Sequence, residues 1–468
     1  MSHDHDHCNH ALNERLQRAA MEGCEESRLL MSRRAMMGIT AGLFSWAYMP
    51  RWAEAATTDP RLLVVVLRGG MDGINVCIPH GDGNYVSMRG ALAIPKSSAI
   101  PLNGGSDFGL HPALSRFGAM YRNRDAAIVH ACAIPLQNRS HFDCQDNLEN
   151  GLPGGVGVAD ATGWLNRLLT ALPAGNPVKL AGAIEIGEAP LILRGPAPVL
   201  GWSPTWFEKV RDPLLRSVRQ LYRDRDPQMY DVLERGLAAD RLATSVAGDS
   251  SNVSGLRKAF RGAGALIAAD NGPRIAVLSV DGWDTHSEQG GAQGYMAEVL
   301  TELDLALNDF KNVVGPAWSK TLVVCATEFG RTVRTNGDEG TDHGLATTVL
   351  MCGGAVNGNR VFGDWPGIAA SQLQDGDLRP TSDLRSVFKG ILRDHIGVPQ
   401  NLLDGPIFPD SATDAPAMTS LVKTAEAASA TVPASTPRTR QEAPIARYRR
   451  GQNVTQPRYM SGTAGAAG

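Results

Sequence analysis

Residues Leu62 to Leu67 form an unbroken apolar, largely β-branched run. A strand whose two faces are both covered, as in a parallel sheet, has this pattern, whereas a half-solvated strand alternates. The run breaks at Arg68-Gly69-Gly70. Four more such runs follow, at residues 126–135, Arg274 to Val280, 321–327 and 347–354. Helical spacing separates them. Between Tyr295 and Val314 the apolar positions are Met296, Val299, Leu300, Leu303, Leu307, Phe310 and Val314, one stripe of a helix lying on a sheet. A second stripe, Leu384, Val387, Phe388, Ile391 and Leu392, follows a Ser382 read as its N-cap. Strands alternating with helices predict an α/β fold with a doubly wound, mostly parallel sheet flanked by helices. The rhythm is interrupted from about 164 to 270, where the pattern predicts a helical insertion over the sheet edge.

The domain so outlined covers residues 56–409, a length that suits one large α/β unit. Residues 410–468 are rich in Ala, Ser, Thr and Pro, too poor in apolar residues to fold, and are read as a disordered tail. The chain holds 51 Gly and 28 Pro, which fits a site built on many strand-to-helix turns. A net charge of −3 leaves no footprint for nucleic acid.

Residues 1–55 carry a different signal. Arg33-Arg34 precedes a moderately apolar run from Ala35 to Tyr48, and Ala53-Glu54-Ala55 makes a small-residue cleavage site. The run is too short and too rich in Gly and Ala for a membrane span, and reads as a twin-arginine export signal. Cleavage leaves a periplasmic or otherwise exported protein with no integral span. The leading tract with His3, His5, His7, Cys8 and His10 is read as a leader discarded with the signal. Cys77, Cys132, Cys144, Cys325 and Cys352 remain, an odd number without a C-x-x-C, which indicates buried thiols and not a disulfide framework.

In an open parallel sheet, ligands bind beyond the carboxyl ends of the strands. The residues there are Asp72 after the first run, Ser140, His141 and Asp143 after the second, and Asp281, Asp284 and His286 after the third. Glu328 and Arg331 follow the fourth, and Asp342 and His343 precede the fifth. Carboxylates and imidazoles gathered on one rim suit a divalent metal of the Zn or Mn kind. Each segment also has a plainer reading. Asp72 can stabilise its turn, Ser140 can cap a helix with Asp143 at N3, and Glu328 can pair with Arg331. His80, His111, His130 and His395 stand apart and read as structural.

The segments "VVVLRGGMDGINVCIP", "FGLHPAL", "RSHFDCQD", "GWLNRLL", "GWDTH", "TEFGRT", "GTDHG" and "VFGDWPG", in this order, closely resemble the bacterial domain of unknown function 1501 family over roughly 61–397. The resemblance implies the alkaline phosphatase and sulfatase fold, a twin-arginine leader, and hydrolysis of phosphate or sulfate esters. It further implies Asp72, Asp284, His286 and His343 as ligands of a divalent metal (Zn, Mn or Ca), assisted by Glu328. Ser140 matches the nucleophile, and in the hydrolase reading so reached Arg331 binds the oxyanion. It also implies a protein partner in the cell envelope, so a non-catalytic binding or assembly role on the same fold is the alternative. The chain departs from the superfamily pattern in two places. Only Thr285 separates Asp284 from His286, and Glu328-Phe329-Gly330-Arg331 stands where an adjacent Asp-His pair is usual.

Overall fold

Strand β1, Arg61–Leu67, lies at the centre of the main sheet with all seven residues buried. Its side chains alternate between two cores. Leu63, Val65 and Leu67 meet one hydrophobic cluster, and Leu62, Val64 and Val66 the other. Each fully buried Leu or Val contributes roughly 1.5–3 kcal/mol, so both faces of this strand hold the domain together. The computed structural model describes residues 59–423 except 103–106, 155–161, 188–189, 204–211, 248–252 and 271. The export signal, the His-rich leader and the chain beyond Lys423 lie outside the described residues.

Around β1 run β2 (Ala126–Ala133), β3 (Ala183–Ile186), β4 (Leu200–Trp202), β5 (Ile275–Val280), β6 (Thr321–Thr327), β7 (Thr347–Cys352) and β8 (Val361–Phe362). Their spatial order is β8-β2-β7-β6-β1-β5-β3-β4, and β9 (Ser382–Asp383) pairs with β2. All neighbours are parallel except β7, which runs antiparallel to both β2 and β6. That reversal has a functional consequence. Residues preceding β7 emerge on the same rim as residues that follow β2, β6, β1 and β5.

Helices cover both faces. The helices α6 (Gly255–Ala268) and α7 (Tyr295–Val314) put Phe260, Leu266, Leu303 and Phe310 against the first cluster. On the other face, α3 (Trp164–Ala171) and α8 (Leu384–Ile391) contribute Trp164, Leu168, Val387 and Phe388. The α/β, doubly wound, mostly parallel architecture read from the sequence is therefore present. The N-cap of α8 is Asp383 and not Ser382, since the Asp383 carboxylate accepts from the Arg385 backbone N–H. All five cysteines are buried and free. No helix among the described residues is long and apolar enough to cross a membrane.

Two boundaries differ from the sequence reading. The 164–270 segment is not wholly helical. Its β3 and β4 extend the sheet beyond β5, with Ile184 opposite Ala276 and Leu200. Four residues in Ala-Ile-Glu-Ile are too few to outweigh the helical pattern of α4 (Asp212–Arg225) and α5 (Pro227–Ala247). The packed domain also continues past Pro409. Leu421 is fully buried, and the Met418 N–H donates to the Ser386 carbonyl in α8.

Candidate metal centre

Each strand on the rim ends in a turn that delivers a polar side chain. After β1, Gly69 and Gly70 both take positive φ, of 120° and 72°. A Cβ on Gly69 would stand 2.6 Å from the Asp284 backbone nitrogen, and one on Gly70 2.5 Å from the Phe329 ring. These glycines therefore let the β1, β5 and β6 ends close together. Beyond β5 the chain passes through buried Trp283 to Asp284, Thr285 and His286. Helix α2 (His141–Asn150) opens directly on the rim after β2. Before β7, a short antiparallel bridge between Arg331 and His343 brings the late histidine beside the end of β6.

Four side chains meet in the middle. Asp284 Oδ1 lies 3.0 Å from His286 Nε2 and 3.4 Å from His343 Nε2, and Asp284 Oδ2 lies 3.5 Å from His141 Nε2. The Nε2 atoms of His286 and His343 are 2.9 Å apart. Among the described residues, His141, Asp284 and His343 form a group whose ligand atoms all fall within 4.8 Å of one another. The side chains of Asp284, His343 and His141 are 22%, 17% and 16% exposed, so the cluster is open to a small ligand from solvent.

The far side of each imidazole is held by an acceptor. His141 Nδ1 meets Glu328 Oε1 at 2.8 Å, His343 Nδ1 the Arg139 carbonyl at 2.8 Å, and His286 Nδ1 Asp342 Oδ1 at 3.3 Å. A carbonyl or an ionised carboxylate can only accept, so each Nδ1 carries the proton. In the neutral rings the three Nε2 atoms are then bare lone pairs, all aimed at the Asp284 carboxylate. Such an assembly repels itself unless protons or a cation sit inside it.

The electrostatics agree. Burial alone would lower the His141 pKa, but hydrogen bonds to Asp284 and Glu328 outweigh it and push it to about 9. Burial alone would raise Asp284, yet His141, His286 and His343 hold it far below the usual carboxylate range. Glu328 is lowered to about 2, with burial opposed chiefly by His141. Phe329 packs against both His141 and His343 at centroid distances of 4.8 Å and fixes the ring orientations.

The residues singled out from the sequence divide into two layers. Asp284, His286 and His343 are in the cluster. Glu328 is behind it, fully buried, accepting from the Gly69 N–H at 2.8 Å and Gln145 Nε2 at 2.9 Å as well as from His141. It pairs with His141 and not with Arg331. Asp72 is not in the cluster. It caps the short helix α1 (Gly73–Val76) by accepting from Ile74 and Asn75, forms a buried ion pair with Arg89, and accepts from Gln289 Nε2 at 2.6 Å. Gln289 in turn accepts from Thr285 at 2.8 Å, so Asp72 supports the turn that carries Asp284 and His286.

Arg331 is not open to an oxyanion. Its guanidinium is fully buried and donates to the carbonyls of Gly70, Gly69 and Thr341 at 2.8, 2.8 and 3.0 Å. It also pairs with Asp284, so its role is to hold that carboxylate in place. Ser140 is the N-cap residue of α2, but its hydroxyl makes no capping bond, and the Asp143 carboxylate accepts from Asn138 instead at 2.8 Å. His141 is the cluster residue that the sequence reading left out of the ligand set. The signal was its adjacency to Ser140 at the first position of a helix opening on the rim.

No curated protein matches the chain. The family described as "Protein of unknown function (DUF1501)" matches residues 117–383. Among solved structures, the chain is similar to the C-terminal periplasmic domain of EcEptC from Escherichia coli, at 8% identity over 78% of this chain and 91% of that one, with a TM-score of 0.32. It is similar to an alkaline phosphatase from the Antarctic bacterium TAB5, at 11% identity over 64% of this chain and 92% of that one, with a TM-score of 0.28. A third likeness is to BT1596, a 2-O GAG sulfatase, at 10% identity over 63% of this chain and 64% of that one, with a TM-score of 0.29.

Proposed function

The chain belongs to the DUF1501 family, and from that premise we propose that it is an exported metal-dependent hydrolase of phosphate or sulfate esters. In this reading His141, Asp284, His286 and His343 hold one divalent ion. The observation that carries it is the convergence of three imidazole Nε2 atoms on one carboxylate, with His286 and His343 only 2.9 Å apart. Two donors bonded to one ion at about 2.0–2.1 Å stand roughly 3 Å from each other, so the residues fit the group. Three imidazoles and one carboxylate favour zinc or manganese, because calcium prefers an all-oxygen shell.

When bound, the ion supplies positive charge that favours an ionised hydroxyl and offsets the charge growing on a transferring phosphoryl or sulfuryl group. Ser140 Oγ, free of any capping bond and next to His141 at the N-terminus of α2, is the nucleophile. The helix N-terminus favours the ester's anionic group beside it. The Oγ–H bond breaks with its proton passing to solvent water, and Oγ forms a bond to phosphorus or sulfur as the ester oxygen leaves and takes a proton from water. A second water then releases the inorganic anion and restores the hydroxyl. Glu328 keeps the His141 proton on Nδ1, and Arg331 fixes Asp284. The Arg33-Arg34 leader supports export.

The test is hydrolysis of aryl phosphates and aryl sulfates by the zinc-loaded and manganese-loaded protein. Activity lost in Ser140→Ala and in Asp284→Ala supports the reading. Folded, metal-bound protein without activity on either ester class would leave the binding or assembly role in its place.

A further inference from the structure

His141, Gln145 and Glu149 are spaced four apart on α2, so they stack along one face of the helix. Two residues from neighbouring strand ends interleave with them. Glu328, after β6, sits between His141 and Gln145, accepting from Nδ1 of the first at 2.8 Å and Nε2 of the second at 2.9 Å. Arg68, after β1, sits between Gln145 and Glu149. It donates to Gln145 Oε1 at 2.6 Å and forms an ion pair with buried Glu149. Glu149 is anchored further by the Ile192 backbone N–H at 2.9 Å. The result is a continuous ladder from Glu149 through Arg68, Gln145 and Glu328 to His141.

The chemistry of the ladder requires at its middle rung a side chain that both accepts and donates. Arg68 can only donate and ionised Glu328 can only accept, so the side chain between them must accept at one end and donate at the other. Glutamine does both, and its two partners fix which end is oxygen. A glutamate at 145 would still accept from Arg68 but would face Glu328 with a like charge. An apolar residue would remove one hydrogen bond from each neighbour, leaving Arg68 to Ser279 and Glu149, and Glu328 to His141 and Gly69.

We infer that Gln145 and Arg68 are positioning residues of the centre. They fix Glu328 so that its carboxylate keeps the His141 proton on Nδ1 and presents Nε2 to the ligand site. Outer partners of a metal-bound histidine act in this way and their loss typically weakens metal binding about 10–100-fold. The affinity part of the inference rests on the metal reading above, whereas the tautomer part does not.

The experiment uses the full chain labelled with 15N-histidine and zinc titrations against a competing chelator, on wild type, Gln145→Glu and Arg68→Met. Both variants are expected to bind zinc about 10–100-fold more weakly, and the metal-free proteins, read above pH 9 where the His141 ring is neutral, to move its remaining proton from Nδ1 toward Nε2, with unchanged circular dichroism. If Gln145→Glu does not fold, Gln145→Met replaces it with the same two readouts. If wild type binds no zinc but the tautomer still shifts, the ladder stands and only the metal reading falls. An unchanged tautomer together with wild-type zinc affinity in both variants overturns the inference.

Discussion

His286 and His343 bring their Nε2 atoms to within 2.9 Å while Asp342 and the Arg139 carbonyl hold their Nδ1 protons. Two lone pairs at that distance need a proton or a metal cation between them, and the proposed function places a metal there. His286→Ala and His343→Ala are each expected to lose more zinc affinity than the roughly 10–100-fold that an outer-partner change costs. Chelator competition measures this, and wild-type affinity in His343→Ala would be incompatible with the proposed ligand set.

Metal binding should depend on pH with a definite sign. The His141 pKa of about 9 means that at neutral pH the metal-free ring is charged and must give up a proton to become a ligand. Apparent zinc affinity should rise by about tenfold per pH unit from pH 7 and level off near pH 9. Calorimetry in buffers of different ionisation enthalpy should show one proton released per ion. Flat affinity across this window would remove His141 from the set.

Asp72 separates support from ligation. Replacing it with Ala strands the Arg89 guanidinium, which is fully buried beside it. Breaking such a pair costs about 3–5 kcal/mol, read as a lowered urea midpoint. Zinc stoichiometry should remain one per chain in Asp72→Ala. Loss of the metal from a folded variant would restore Asp72 as a ligand.

Stability of the metal-free protein should fall on both sides of neutrality for different reasons. Burial lowers His130 and His395 to about 4. Between the unfolded value near 6.5 and about 4 the unfolded chain binds more protons, so stability is lost as pH falls through that window. His141 has the opposite sign. Its folded value of about 9 lies above the unfolded one, so its contribution is full below about 6.5 and disappears as pH rises through 9. Thermal midpoints from pH 4 to 10 check both limbs. The double variant His130→Gln/His395→Gln should flatten the acid limb, and His141→Gln the alkaline one.

The main strands were readable because both faces of β1, β5, β6 and β7 are covered, and double coverage forces unbroken apolar runs. β3 escaped notice because its four residues include the half-buried Glu185 and lie beside long helical patterns. In the site, Asp284, His286 and His343 were legible as acid and imidazole at strand ends. Arg331 looked like an anion binder because the sequence gives no sign of burial, and its partners Gly69, Gly70 and Asp284 come from two other segments. Asp72 misled for the same reason, since Arg89 and Gln289 reach it from elsewhere. The antiparallel setting of β7, invisible in its own six residues, is what unites His343 with the other ligands.

The central claim is tested most directly by zinc-edge X-ray absorption with elemental analysis on the full chain and on Asp284→Ala/His343→Ala. One zinc per chain is expected, with nitrogen and oxygen donors at about 2.0–2.2 Å and the outer-shell scattering of imidazole, and the double variant should lose it. Folded wild type that takes up no stoichiometric zinc, manganese or calcium, or a double variant that retains the same spectrum, would contradict the account.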